Sequence, residues 1–156
     1  LEEGARLIQQ GFDNFRGSGA ELSLTHYYSV LAESYWASNR LEDALAAVRD
    51  GLTLAGRSHE RFHEANLYRL RGDLLLDLSP ANHIEAEHCY QKSLEVARRQ
   101  GAKSWELRAG MSLGRLWQVR GRPTEARAML AEIYGWFTEG FGTPDLIAAR
   151  SLLEQL

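Results

Sequence analysis

A segment that returns four times at a spacing of about forty residues constrains this chain more than anything else in it. Leu1-Glu2-Glu3-Gly4-Ala5-Arg6-Leu7-Ile8 aligns with Leu41-Glu42-Asp43-Ala44-Leu45-Ala46-Ala47-Val48. Further copies follow at Ile84-Glu85-Ala86-Glu87-His88-Cys89-Tyr90 and Thr124-Glu125-Ala126-Arg127-Ala128-Met129-Leu130. The small residue after the acid falls at Gly4, Ala44, Ala86 and Ala126, spaced 40, 42 and 40. Self-similarity at a fixed period marks stacked units, each too small to bury its apolar face alone.

Between these copies lies a second recurring segment: Leu31-Ala32-Glu33-Ser34-Tyr35, Arg71-Gly72-Asp73-Leu74-Leu75 and Leu113-Gly114-Arg115-Leu116-Trp117. Each sets a small residue three before a large apolar one. Gly or Ala at such points lets two helices cross closely. Both segment types have helical period, as in Tyr28, Leu31, Tyr35, Trp36 and in Leu41, Ala44, Val48, Leu52. Breakers separate them at Asn39-Arg40, Ser79-Pro80 and Gly121-Arg122-Pro123, and Ser79 and Thr124 suit caps or turns. The gap from small residue to next alanine is 12 in the first and third copies and 14 in the second, which predicts a longer turn at Pro80. The pattern predicts helices over 1–12, 21–38, 41–55, 60–78, 83–100, 103–120, 123–138 and 144–155.

This arrangement resembles the tetratricopeptide repeat, whose first helix carries an aromatic, Leu-Gly and Tyr, and whose second carries Ala, an aromatic and Ala. The slots here read Tyr28, Leu31-Ala32, Tyr35, Ala44, Val48, Gly51, then Tyr68, Arg71-Gly72, Leu75, Ala86, Tyr90, Ser93. The third copy reads Gly110, Leu113-Gly114, Trp117, Ala126, Leu130, Ile133. The resemblance implies an all-α fold of antiparallel helix pairs stacked in a right-handed superhelix. It divides one domain, 1–156, into a half repeat at 1–20, repeats at about 21–58, 59–101 and 102–140, and a capping helix at 143–156. Three runs, Glu64–Leu76, Lys103–Ala109 and Tyr134–Leu146, are similar to the C-terminal helical repeats of large bacterial signalling proteins. Those proteins carry a class III adenylate or guanylate cyclase, or a transcription-regulator domain, before a central AAA-type ATPase. The likeness implies a regulatory scaffold downstream of catalytic domains. Leu1 aligns with Leu41, on the threshold of a second helix, so the array is expected to begin earlier in a longer chain.

Composition narrows the classes further. With 21 acidic and 18 basic residues, a net charge of −3 gives no electrostatic reason to expect nucleic acid. No stretch approaches the ~18–20 apolar residues of a membrane helix. The single Cys89 excludes an intrachain disulfide and a cysteine zinc cage. These features imply a soluble, reduced, cytoplasmic domain.

The chemical signals are weaker than the repeat. His59-Glu60-Arg61-Phe62-His63 satisfies HExxH, the spacing that presents two imidazoles for zinc with a glutamate base, and Glu85 or Glu87 is at roughly the separation of a third ligand. The pentapeptide opens a repeat's first helix, so a solvated helix start is the expected reading, and a zinc-dependent hydrolase is a distant alternative. His83 and His88, five apart, point about 140° apart on a helix. Cys89 lacks an adjacent base with an orienting partner. No phosphate-binding Gly-rich loop occurs. The sequence therefore predicts no enzyme, no cofactor and no resident metal.

In such an array the first helices line the concave face. Projecting the repeat frame places His26, Ser29, Glu33 and Trp36 there, then Asn66, Arg69 and Asp73, then Arg108, Met111, Arg115 and Gln118. That mixture suits an acidic or C-terminal peptide, held by charge-assisted hydrogen bonds. The expected function is noncatalytic contact with a protein or peptide, or with upstream domains of the same chain. A small effector bound in the groove is the alternative. Tyr35 and Trp117 are assigned to core. At the C-terminus, Thr143-Pro144-Asp145 reads as a capped helix start, whose Leu146, Ile147, Leu152 and Leu153 would cover the last pair. At the other end Leu7, Ile8 and Phe12 are expected to stay partly exposed and to favour self-association.

Overall fold

The computed structural model describes residues 2–17, 23–58 and 61–156. Its helices are α1 (Glu2–Gly17), α2 (Leu24–Ala37), α3 (Leu41–Arg57), α4 (Glu64–Leu78), α5 (His83–Gln100), α6 (Lys103–Val119), α7 (Pro123–Tyr134) and α8 (Pro144–Gln155). One 3-10 turn, Pro80–Asn82, stands in the long connection before α5. No strand occurs among the described residues. Helices α2 with α3, α4 with α5, and α6 with α7 form successive antiparallel pairs. The architecture is an all-α solenoid of stacked helix pairs.

Local chemistry sets the turns. Asn39, Gly101 and Gly121 adopt left-handed backbone, with φ of 58, 65 and 77°. In each case the next amide reaches back five residues, Arg40 to Tyr35, Ala102 to Ala97 and Arg122 to Trp117, at 2.8–2.9 Å. That 6→1 bond closes a helix by satisfying a carbonyl that would otherwise be left without a donor. At Ser79 the chain solves the same problem differently. Its hydroxyl accepts from the Ala81 amide, and Asn82 donates its side-chain amide to the Leu75 carbonyl.

Small residues lie where elements meet. A Cβ on Gly72 would come within 2.8 Å of Tyr90 Cδ1, and one on Gly110 within 2.7 Å of Ile133 Cδ1. Close interhelix approach thus depends on the missing side chain. Helix α4 joins the two main cores. Leu67, Leu70 and Leu74 pack with Leu31, Val48 and Phe12, while Leu75 packs with Tyr90, Leu107 and Leu130.

Several boundaries and placements depart from the sequence expectations. Helix α1 continues to Gly17, and α7 stops at Tyr134, where the Trp136 and Phe137 amides turn back to Ile133 and Tyr134 in i→i−3 bonds. Helix α4 opens at Glu64, not near 60. Phe12 is 3% exposed: α1 lies on α2 and sets Phe12 edge-on to Tyr28, centroids 4.8 Å apart. Leu7 does remain exposed. Thr143 sits in extended backbone with Pro144 after it, but its side chain makes no capping bond. Leu146 and Leu152 are buried as a cap requires, whereas Ile147 faces solvent. Thr124 lies inside α7, with Arg122 at the capping position.

Candidate functional site

Helix α2 touches α4, and α4 touches α6, while the second helices α3 and α5 do not approach each other. The first helices therefore form the inner wall. Between α4 and α6 that wall opens into a cavity of about 630 Å³. Leu76, Leu116 and the ring of Trp36 line it, and Pro80 and His83 from the long connection add to its wall. Val119, 84% exposed, and the exposed Arg120 stand at its mouth.

The polar side is ordered. Arg69 Nη1 pairs with Asp73 Oδ2 at 2.6 Å, and its other nitrogens hold Asn66 Oδ1 at 2.9 and 3.1 Å. Tyr90 donates its hydroxyl to Asp73 Oδ1 at 2.7 Å. Burial raises the Asp73 carboxyl above its ordinary value, against the Arg69 guanidinium and hydrogen bonds from Tyr90 and Ser112. Burial likewise pushes the Tyr90 hydroxyl upward, reinforced by the neighbouring Asp73 charge. On the outer side Trp36 donates its indole N–H to Asp77 at 2.6 Å, joining the C-terminal ends of α2 and α4. His83 Nδ1 lies 3.2 Å from the Pro80 carbonyl oxygen.

Of the residues projected onto the concave face, Trp36, Arg69, Asp73 and Arg115 line this cavity. Glu33 lies beside it, 3.9 Å from Arg69. The others are placed elsewhere. Ser29, Asn66 and Met111 are buried, Ser29 donating to the His26 carbonyl. His26 stacks on His63 at 4.5 Å, and His63 in turn lies 5.8 Å from Trp105. Arg108 spans from the Trp105 ring to Asp145, with a 2.7 Å bond to its carboxylate. Gln118 donates to the Gln155 carbonyl. Sequence reasoning missed Asp77, one turn beyond Asp73, and Val119 and Arg120, the two residues that follow Gln118. It also missed Pro80 and His83, although the two extra residues before Ala86 marked their turn as unusual.

The other candidate chemistry is dispersed. His59 and Glu60 of the HExxH pentapeptide lie outside the described residues. Glu85 is paired with Arg71 at 2.6 Å, and Glu87 accepts from both Trp117 and Arg122. Among the described residues no three metal-ligating side chains cluster. Cys89 is buried, which raises its thiol. Trp136 and Phe141 are exposed at the α7–α8 connection. No helix among the described residues is long and apolar enough to cross a membrane.

Two stretches match the tetratricopeptide repeat family, residues 25–50 and 107–132. They fall on α2 with the start of α3, and on α6 with most of α7, which supports a tetratricopeptide-type array. Among curated proteins none matches the chain.

Proposed function

We propose that the chain is a noncatalytic interaction module that takes a segment of another protein, or of its own parent chain, on its concave face. Tetratricopeptide repeats generally mediate protein–protein contact, and a fold alone does not assign a partner. The observation that carries the reading is the cavity between α4 and α6: an apolar floor with ordered polar groups at its edge is what a recognised side chain requires. Photo-crosslinking tests it. With p-benzoylphenylalanine at Val119, adducts with a partner are expected; at Glu132, exposed on α7, they are not. Adducts only from Glu132 would move the interface to the outer helices.

A small effector in the same cavity is the second reading, favoured by the volume of about 630 Å³, which is within the range of ligand pockets. It requires a thermal shift with small metabolites in the absence of any protein partner. We further propose that the array is a regulatory region downstream of cyclase, transcription-regulator or AAA-type ATPase domains in a cytoplasmic bacterial signalling protein. The likeness of Glu64–Leu76, Lys103–Ala109 and Tyr134–Leu146 to such repeats supports this. The coding sequence upstream of Leu1 decides it: a parent with none of these modules excludes it. Contact between copies through Leu7 and Ile8 is a further proposal.

A further inference from the structure

Two guanidiniums at the mouth of the cavity have no carboxylate of their own. Arg69, Arg98, Arg108 and Arg122 are each bound to an acid, but among the described residues neither Arg115 nor Arg120 makes a side-chain hydrogen bond or ion pair. Asp73, which feels the Arg115 charge without a hydrogen bond to it, already accepts from Arg69 and Tyr90. Beside the two arginines the wall is apolar: Leu76 and Leu116 inside, Val119 at the rim. On the facing helix α4, Asp77 is fixed through one oxygen by the Trp36 indole, which leaves its other oxygen able to accept.

These groups specify a ligand. An apolar body fits between Leu76 and Leu116, and a carboxylate neutralises Arg115 and Arg120. A wholly anionic ligand would be repelled by Asp77, whereas a chain that also offers an N–H is accommodated there. A peptide carries all three features. We propose that the cavity binds a partner peptide in which a bulky aliphatic or aromatic side chain enters between Leu76 and Leu116 and a carboxylate one or two positions away is held by Arg115 and Arg120. This rests on the protein-interaction reading and names the chemistry of its partner.

The test uses a spot array of octapeptides with a central Leu, Phe or Trp flanked by Glu, Gln or Lys. Retention is expected in the order Glu, Gln, Lys, and the best peptide, labelled with fluorescein, gives a Kd by anisotropy. Arg115→Ala and Arg120→Ala should each weaken it about tenfold, the scale of a lost charge-assisted hydrogen bond, and Arg115→Lys should recover part of the loss. Val119→Asp, on an exposed rim position, should weaken it without changing the melting temperature. Equal retention of Gln- or Lys-flanked peptides, no retention at all, or a Kd indifferent to both arginines would overturn the proposal. N-acetylleucine binding as tightly as the peptide would also overturn it, in favour of a small effector. Failure here with groove crosslinks intact at Val119 removes only the peptide chemistry; loss of those crosslinks removes the interaction reading itself.

Discussion

Tyr90 lays the edge of its ring on the bare backbone of Gly72, so that one side chain both seals α4 against α5 and supplies the hydroxyl that holds Asp73. Tyr90 is 1% exposed and has nowhere to retreat. A Cβ at Gly72 would meet three ring atoms closer than 3.0 Å. Overpacking therefore outweighs the helix propensity that alanine adds, and Gly72→Ala should lower stability by about 1–3 kcal/mol. Gly11, exposed inside α1 with no neighbour within 4 Å, is the control. There alanine should stabilise by about 0.5–1 kcal/mol. Urea unfolding midpoints of the two variants, shifted in opposite directions, check both.

The pairing of helices was legible because it depends on period and on small residues, which survive as patterns in one dimension. Gly72 is the example: its spacing to Ala86 marked a crossing that Tyr90 now fills, whereas the close approach of Ile133 to Gly110, which stands in the aromatic slot of the repeat, carried no such mark. The site was legible only in part. The repeat frame put Trp36, Arg69, Asp73 and Arg115 on one wall, since equivalent positions of stacked helices face alike. It could not show that Arg108 is drawn off by Asp145, a residue 37 positions away on a helix outside the repeat. Nor could it show that a two-residue insertion would bring Pro80 and His83 into the wall.

Arg122 lies over the Trp117 ring at 4.3 Å, and both residues share Glu87 as an acceptor, at 2.9 and 2.7 Å. Hydrogen bonds to Glu125 and Glu87 raise the Arg122 guanidinium above its ordinary value. Arg40 repeats the arrangement over Tyr35, with Asp43 in place of Glu125. The triangle ties α5, α6 and α7 together at a partly buried edge. Glu87→Gln should lower the melting temperature at low salt, and the difference should shrink as salt screens the pair. A salt-independent difference would show that Glu87 acts through packing alone.

Glu106 and Asp73 make stability respond to pH in opposite directions. Burial works to raise Glu106, but hydrogen bonds from Lys103 and Arg98, both 2.8 Å, outweigh it and hold the carboxyl below its ordinary 4.5. Its stabilisation is full above 4.5 and is lost as pH falls through the folded value. Glu106→Gln should therefore cost about 1–3 kcal/mol at neutral pH and progressively less below 4.5. For Asp73 burial wins, so the folded carboxyl titrates above 3.8. Its contribution is full below 3.8 and is lost as pH rises through the folded value. Relative to the parent, Asp73→Asn should gain stability as pH rises above 3.8. Denaturant unfolding at a series of pH values reads both slopes.

Arg108 anchors α8 by its bond to Asp145 and its place over Trp105, 4.9 Å from the ring centroid. Both partners of the pair are more than a third exposed, so the bond itself is a modest contribution. Arg108→Ala should lower stability by less than about 1 kcal/mol. It should also speed hydrogen exchange in α8 before any other helix, because α8 packs only on α6 and α7. Peptide affinity in the cavity should be unchanged, in contrast to Arg115→Ala. Uniform exchange across the array would show that Arg108 has no special hold on α8.

The burial of Phe12 changes what the N-terminal helix can do. With Phe12 against Tyr28 and Phe15 half-buried beside Tyr27, the exposed large apolar side chains of α1 among the described residues reduce to Leu7, 54% exposed, and part of Ile8. Burying one leucine fully gives about 1.5–3 kcal/mol. Doubled across a symmetric contact, that only reaches the lower range of the roughly 4–15 kcal/mol lost in association. The proposed self-association through α1 would therefore be left at most about 2 kcal/mol, a dissociation constant of tens of millimolar or weaker. Sedimentation equilibrium should show a mass that rises with concentration only in that range, and Leu7→Lys should abolish the rise. A mass independent of concentration would remove the contact, and a micromolar dimer that survives Leu7→Lys would place it on another face; Phe62, Trp136 and Phe141 are the exposed aromatics among the described residues.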